Sequence, residues 1–426
     1  MQHYIVLNNN SLVKTLLLFV IFLIPLLGAS NAFGYEQIKV IFFIFSTSLA
    51  GFIWLLGKPE LKWSLVKIVS LVFILILLVA SILGMDLRQS FLGSDPYFQG
   101  WLIYAYLGLF SVLVASSKIS VRDYASVLVL SGSLVSVCAI RQWVAIDFFQ
   151  APIPTYAGRV VSTFGQPNFY AGFLVLTLPF SYFLFKNENK KLRMLGWGSG
   201  IISLVGILVS FSRSTILLAL MLLILGLIDQ LKIKLRASLV VLGVVFISIF
   251  LALKFSSGIV GNEVSQPFQT RNPDLTRESV EKRVYIWPEA AKIAWQKPFL
   301  GYGLENIGSS FSRYFTENKH ALFEENLNIQ PVLISLKELS IDRSHNYFLD
   351  LLLFSGFPGL LAWLILVGVL FWKLKQNTKY TTIVGRNVLL VSLIVYVIWI
   401  QFQNQSIAHL IYFWLLVGLI DRARFI

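Results

Sequence analysis

Runs of about 20 apolar residues recur along almost the whole chain, and each is long enough to cross a hydrocarbon core of roughly 30 Å. Inside a bilayer no water is present to satisfy backbone N–H and C=O groups, so such runs must be helices. The expected fold is therefore all-α, a polytopic membrane protein of about 12 transmembrane helices. Composition agrees: 57% of the 426 residues are hydrophobic and only 13% are charged, against about 25% charged in soluble domains.

Spans are expected near 15–33, 38–56, 65–83, 101–116, 124–146, 169–185, 194–211, 214–228, 237–254, 346–372, 388–404 and 406–420. The chain then divides into helices 1–9 (1–254), a large external loop (255–345) and helices 10–12 (346–426). Lys14, the apolar stretch 16–27 and the small residues Gly28, Ala29, Ser30 and Ala32 resemble a signal peptide. We read this segment as a retained first span; cleavage would leave residue 35 outside in either case. Cys138, the one cysteine, lies inside an apolar run and reads as a packing residue, so neither a disulfide framework nor a Cys-based metal site is expected.

The net charge of +14 is not a nucleic-acid signature, because no continuous basic stripe is present. Basic residues instead cluster in alternate loops. One face holds Lys58, Lys62, Lys118, Arg122, Lys186, Lys190, Lys191, Arg193, Lys232, Lys234, Arg236, Lys373, Lys375, Lys379, Arg386, Arg422 and Arg424. Only Lys39, Arg88, Arg159 and Arg213 fall on short segments of the other. By the positive-inside rule the rich face is cytoplasmic, both termini included. The external segments 84–100 and 147–168 are of medium length, whereas 255–345 has roughly 90 residues, a size that usually carries function. Within it Val280, Val284, Trp287, Ala291 and Ala294 recur at helical spacing, which predicts an amphipathic helix over about 277–296. Pro298 and Gly301-Tyr302-Gly303 should stop it.

Positive charge is disfavoured on the external face, so each arginine there needs a reason. Arg159 precedes span six, Arg213 sits at the turn between spans seven and eight, Arg283 lies on the loop helix, and Arg343 precedes span ten. Any one alone reads most simply as a snorkelling interfacial side chain. Four at span starts on one face suit a different purpose, since guanidinium forks match phosphate oxygens bidentately. Aimed at one point, they would fit a lipid-linked pyrophosphate. His345 opens span ten, with Ser344 or Asp342 able to cap the helix. A helix N-terminus disfavours imidazolium and leaves the ring able to accept a proton near pH 7; an ordinary interfacial histidine is the alternative. His3, His320 and His409 lack comparable surroundings. The external segments carry no Asp-x-Asp pair and no His/carboxylate cluster at metal-ligand spacing, which argues against a metal-dependent sugar-nucleotide transferase. The span centres hold almost no ionisable residue apart from Arg141, which argues against proton-coupled transport.

The ordered motifs resemble a known family. Arg159-Val-Val-Ser-Thr-Phe-Gly-Gln-Pro-Asn168 is similar to its Phe-Gly-Asn-Pro-Asn block, with Gln166 where the family often has Asn. Phe211-Ser-Arg213-Ser resembles its Ser-Arg turn. Arg283-Val-Tyr-Ile-Trp287 followed by Pro298-Phe-Leu-Gly-Tyr-Gly303 resembles its loop signature, and His345-Asn346 through Gly356-Phe-Pro-Gly359 resembles its His-Asn…Gly-x-x-Gly block. Over about 84–372 the set resembles the O-antigen ligase and polymerase superfamily of bacterial membrane glycosyltransferases.

That resemblance implies a catalytic cavity on the external face of the cytoplasmic membrane. The donor would be a glycan on undecaprenyl pyrophosphate, and the acceptor a hydroxyl on a glycan, lipid or protein. No metal and no cofactor are implied. Residue by residue, Arg213 and Arg283 would grip the pyrophosphate and His345 would activate the acceptor. Arg159, Asn168, Trp287, Arg343 and Asn346 would contact substrate. A ligase is the first expectation and a polymerase of the same superfamily the second. A lipid-linked glycan flippase is the rival from another class, and it would carry charge along a transmembrane cavity rather than at one face.

Overall fold

Every regular element among the described residues is a helix, and the only strand-like feature there is an isolated bridge between Tyr156 and Arg159. The computed structural model describes residues 2–29, 34–117, 119–156, 158–230, 286–317, 341–376 and 383–422. In chain order the helices are α1 (Gln2–Leu23), α2 (Tyr35–Leu56), α3 (Leu65–Ile82), α4 (Leu87–Leu92) and α5 (Trp101–Ser116). They continue as α6 (Val121–Asp147), α7 (Pro167–Phe185), α8 (Lys190–Ser210) and α9 (Arg213–Gln230). A helix at 286–296, here α10, precedes α11 (Ile307–Glu317), α12 (Tyr347–Gln376), α13 (Ile383–Trp399) and α14 (Ile407–Asp421).

Seven of these, α2, α3, α6, α7, α8, α9 and α12, are long and apolar enough to cross a membrane. Apolar helices of shorter length cover Asn10–Leu26, Trp101–Ser116, Gly385–Trp399 and Ile407–Asp421. The expected span at 237–254 lies outside the described residues. These helices support an integral membrane protein.

The chain forms two compact units. The first gathers Met1–Ile24, Ala29–Val121 and Arg277–Ile426; the second gathers Pro25–Gly28 and Arg122–Thr276. In the second unit α7 is the core element, with 15 of its 19 residues buried. Small residues let its neighbours approach closely, as membrane helices require. A Cβ on Gly196 of α8 would meet the Phe185 amide nitrogen at 2.4 Å, and one on Gly132 of α6 would touch Thr177 at 3.2 Å.

In the first unit α14 is buried along its whole length. It packs on α5, where a Cβ on Gly418 would meet the Ser111 carbonyl at 2.6 Å. The two ends of α14 differ in chemistry. At its C-terminal end Asp421 gathers Lys67 at 3.3 Å, Lys373 at 2.9 Å and the Ser64 hydroxyl. At its N-terminal end Glu36 of α2 accepts the Ile407 amide at 2.7 Å, and the segments 97–100 and 400–406 meet, Gln99 Nε2 donating to the Gln405 carbonyl at 2.7 Å. Here Ser406 and His409 form a capping box, and the His409 ring stacks on Trp399 at 4.3 Å. This explains a histidine for which the sequence offered no role.

α12 is broken near its N-terminal end. Gly356 has φ 65° and ψ −165°, and Pro358 follows two residues later. A break frees backbone groups that must find partners in an apolar setting. The 298–303 loop supplies them. Tyr302 N donates to the Leu353 carbonyl at 2.7 Å, Gly303 N to the Phe354 carbonyl at 2.9 Å, and Phe357 N to the Pro298 carbonyl at 2.7 Å. The loop in turn uses left-handed Gly301 (φ 62°) and Gly303 (φ 87°). A Cβ at Gly356 would lie 2.3 Å from the Pro298 oxygen, so a side chain there is excluded by contact as well as by conformation.

Gly356→Ala should therefore cost about 2–5 kcal/mol, adding a left-handed penalty to backbone overlap. Gly368→Ala, with nothing within 4 Å of its Cβ, should be tolerated. Thermal unfolding of both variants in detergent checks this; an unchanged midpoint for Gly356→Ala would show that the loop does not hold the break.

Candidate functional site

The loop docked on α12 positions a polar cluster at the N-terminal end of that helix. Asn306, fully buried, donates from Nδ2 to Ser90 Oγ at 2.8 Å and to the Tyr302 carbonyl at 3.0 Å, joining the loop to α4. Gln89 reinforces the join by donating to the Glu305 carbonyl at 2.6 Å. The backbone of Gly84 lies so near that of Gly303 that a Cβ would approach the Gly303 Cα at 2.8 Å.

Glu305 and Arg343 form the charged centre of this cluster. Both are buried, and the Arg343 guanidinium donates to Glu305 Oε1. Ser94 Oγ donates to the other carboxylate oxygen at 3.3 Å. The guanidinium also lies between the rings of Tyr97 and Phe354, at 4.7 and 4.8 Å from their centroids. Burial opposes its charge, but Glu305 and Asp350 more than offset this and hold its pKa above the ordinary arginine value. Burial pushes the Glu305 carboxyl up while Arg343 draws it back. Tyr97 is raised by burial and by Asp342, and its hydroxyl accepts from Asn404 Nδ2 at 2.8 Å. Arg343 is thus committed to internal partners, although its buried Nη1 has no hydrogen bond among the described residues.

The next two residues lead to His345. Ser344 donates from its amide and its hydroxyl to Asp350 Oδ1, at 2.9 and 2.6 Å, and its carbonyl accepts the Trp287 indole N–H at 3.0 Å. Asn346, rather than Ser344 or Asp342, is the cap of α12: its Oδ1 accepts the amides of Phe348 at 3.0 Å and Leu349 at 3.2 Å. Between these anchors His345 has φ 60°, a left-handed conformation that costs a non-glycine residue roughly 1–2 kcal/mol. Residues held this way by their surroundings cluster at functional sites. The imidazole is half-buried.

Trp287 therefore acts as a strut from α10 to the His345 turn. The buried face of α10 is Ile286, Glu289, Ala290, Ile293 and Ala294. The expected stripe through Trp287 and Ala291 is offset from it, because the indole is drawn toward the Ser344 carbonyl. Arg283 lies outside the described residues, as does residue 320.

The second unit holds the remaining expected residues. Arg159 closes a tight turn with Tyr156, their backbones exchanging hydrogen bonds of 3.0 and 3.1 Å. Gln142 Oε1 braces the following segment by accepting the Ser162 amide at 2.8 Å. Gln166 precedes α7, Pro167 opens it, and Asn168 stands half-buried in its first turn. Arg213 is exposed at the first position of α9, just after left-handed Phe211. Its side chain makes no ion pair or hydrogen bond among the described residues. The turn behind it is fixed by Ser210 Oγ accepting the Ser212 amide at 3.0 Å and by a 3.0 Å contact between the Ser212 and Thr215 hydroxyls.

Sequence reasoning missed Glu305, Asn306 and Asp350. Arg343 offered a signal for Glu305, since a buried guanidinium needs a counter-charge. Glu305→Ala should destabilise the protein by about 3–5 kcal/mol by leaving that charge buried alone. Glu305→Leu combined with Arg343→Met should recover most of the loss, as read from the unfolding midpoints of the single and double variants. A double-variant loss equal to the sum of the two single-variant losses would show that the pair is not coupled.

Residues 198–364 match the family model described as O-antigen ligase. The chain is also 26% identical over 263 residues to the ComP-specific O-oligosaccharyltransferase of Acinetobacter baylyi, an alignment covering 60% of this chain and 43% of that protein. The chain thus matches less than half the length of this relative. Both matches support the likeness to the O-antigen ligase superfamily that the ordered motifs carry.

Proposed function

We propose that this O-antigen ligase-like chain moves a glycan from a polyprenyl pyrophosphate to an acceptor hydroxyl, with His345 as the general base. The observation that carries the assignment is the strained, externally braced His345 turn: a backbone held at φ 60° by Trp287, Asp350 and the Asn346 cap. Such bracing fixes where an imidazole points, and a general base must lie within hydrogen-bond reach of the proton it takes.

In the proposed reaction the acceptor oxygen attacks the anomeric carbon as its proton passes to His345. The anomeric C–O bond to the pyrophosphate breaks, and its electron pair leaves with the lipid pyrophosphate. Arginines supply the stabilisation that this developing charge needs. Arg213 is the first candidate, an exposed guanidinium on a rigid turn, and Arg283 its partner from the loop. Arg159 and Asn168 are further candidates for substrate contact, while Arg343 and Trp287 support the base from behind. We place the chemistry on the external face of the cytoplasmic membrane, following the charge asymmetry of the loops. A ligase is favoured, with a polymerase of the same superfamily differing only in the acceptor.

The test is transfer in proteoliposomes from a labelled undecaprenyl-pyrophosphate oligosaccharide, with acceptor and EDTA present. His345→Ala should slow label transfer by about 10²- to 10⁴-fold without lowering the unfolding midpoint, and Arg213→Lys should be impaired because a fork is replaced by a point charge. A ladder of products would indicate a polymerase and a single shift a ligase. Equal transfer by wild type and His345→Ala would remove His345 as the base.

A further inference from the structure

The loop between α13 and α14 reads Ile400-Gln-Phe-Gln-Asn-Gln-Ser406 and lies beyond the residues matched by the ligase family model. It is fastened along its length. The Ile400 carbonyl accepts the Tyr347 amide at 3.0 Å, and the Gln401 carbonyl accepts from Asn346 Nδ2 at 3.4 Å. Further on, Asn404 is held to Tyr97 and the Gln405 carbonyl to Gln99, while Ser406 caps α14. Two of these fastenings go to the residues immediately after His345, so the start of the loop and the His345 turn are one structural piece.

Two side chains at that start are left for something else. Phe402 is 43% exposed, although Gln403, Asn404 and Gln405 beside it are buried. Gln401 spends one N–H on the Val397 carbonyl at 3.1 Å. Its Oε1 and second N–H have no hydrogen bond among the described residues. An amide with both a donor and an acceptor to offer suits a pair of neighbouring hydroxyls. An aromatic face next to it suits the apolar C–H face of a pyranose. Both stand on a pre-fastened loop, which limits the ordering cost of binding.

We propose that Gln401 and Phe402 form a saccharide subsite beside His345, Phe402 stacking on a sugar ring and Gln401 hydrogen-bonding its hydroxyls. This rests on the glycosyl-transfer reading above. The ring belongs either to the donor glycan or to a glycan acceptor, and the two are separated by which Michaelis constant moves.

The experiment measures initial transfer rates in proteoliposomes with donor varied at saturating acceptor, and then the reverse. Phe402→Ala and Gln401→Ala should each raise KM for one substrate by about tenfold, equivalent to roughly 1.4 kcal/mol, with kcat kept. Phe402→Trp should keep KM near the wild-type value. Unchanged KM values for both substrates in the alanine variants, a fall in kcat alone, or a KM for Phe402→Trp as high as that of Phe402→Ala would each overturn the subsite. A second readout is independent of turnover: the fluorescence of the indole introduced by Phe402→Trp, taken as the difference between that variant and wild-type protein. It is titrated with the soluble oligosaccharide and, separately, in vesicles with brominated lipid. A saturable response to the saccharide supports the subsite. Quenching by lipid with no response to saccharide would mean that the ring faces the bilayer. If wild type transfers nothing, the glycosyl-transfer reading fails, and the fluorescence titration still decides the subsite.

Discussion

The break in α12 is the constraint from which the rest of the first unit follows. A helix interrupted in an apolar setting exposes carbonyls and amides that cannot be left without partners. Here the Leu353 and Phe354 carbonyls and the Phe357 amide are all taken up by Pro298–Gly303. That single docking event brings Glu305 and Asn306 to α4, gives Arg343 its counter-charge, and closes α10 over the His345 turn. The glycines of the two sequence blocks are therefore one device: Gly301 and Gly303 shape the plug, and Gly356 shapes the socket.

The two described arginines best placed for comparison show how differently the same residue type is used. Arg343 is 4% exposed, paired with Glu305 and flanked by two aromatic rings. Its energy goes into holding the segment that carries His345. Arg213 begins α9, exposed on a turn fixed by serine and threonine hydroxyls. A charge left open on a rigid backbone is the arrangement expected of a group that meets an anionic ligand.

Much of this was legible in the chain. Apolar run length gave the approximate positions of most of the described apolar helices, because the bilayer imposes that length on any sequence, but the first was placed at 15–33 whereas α1 ends at Leu23. The segment 286–296 was legible as a helix, but its buried face was offset, since periodicity carries no information about an indole reaching for a carbonyl. His345 was legible as the residue opening a span. Its left-handed backbone was not, because that conformation follows from anchors on either side of it, Trp287 and Asp350 on Ser344 and the Asn346 cap. Glu305 was missed because its importance arises from Arg343, a partner distant in sequence, and Asp350 because the turn that brings Ser344 onto it is not readable from spacing. Residues 400–404 read as the end of a span, but α13 stops at Trp399, and the fastening of the loop that follows to Asn346 and Tyr347 marks it as part of the same region.

The proposed reaction is a single displacement at the anomeric carbon, with one base taking the acceptor proton opposite the leaving pyrophosphate. The measurement that tests it most directly is the anomeric configuration of the newly formed linkage, read by NMR from the coupling constants of product and donor. Single displacement predicts inversion. Retention would contradict it, requiring a covalent glycosyl intermediate and a nucleophile in place of a base.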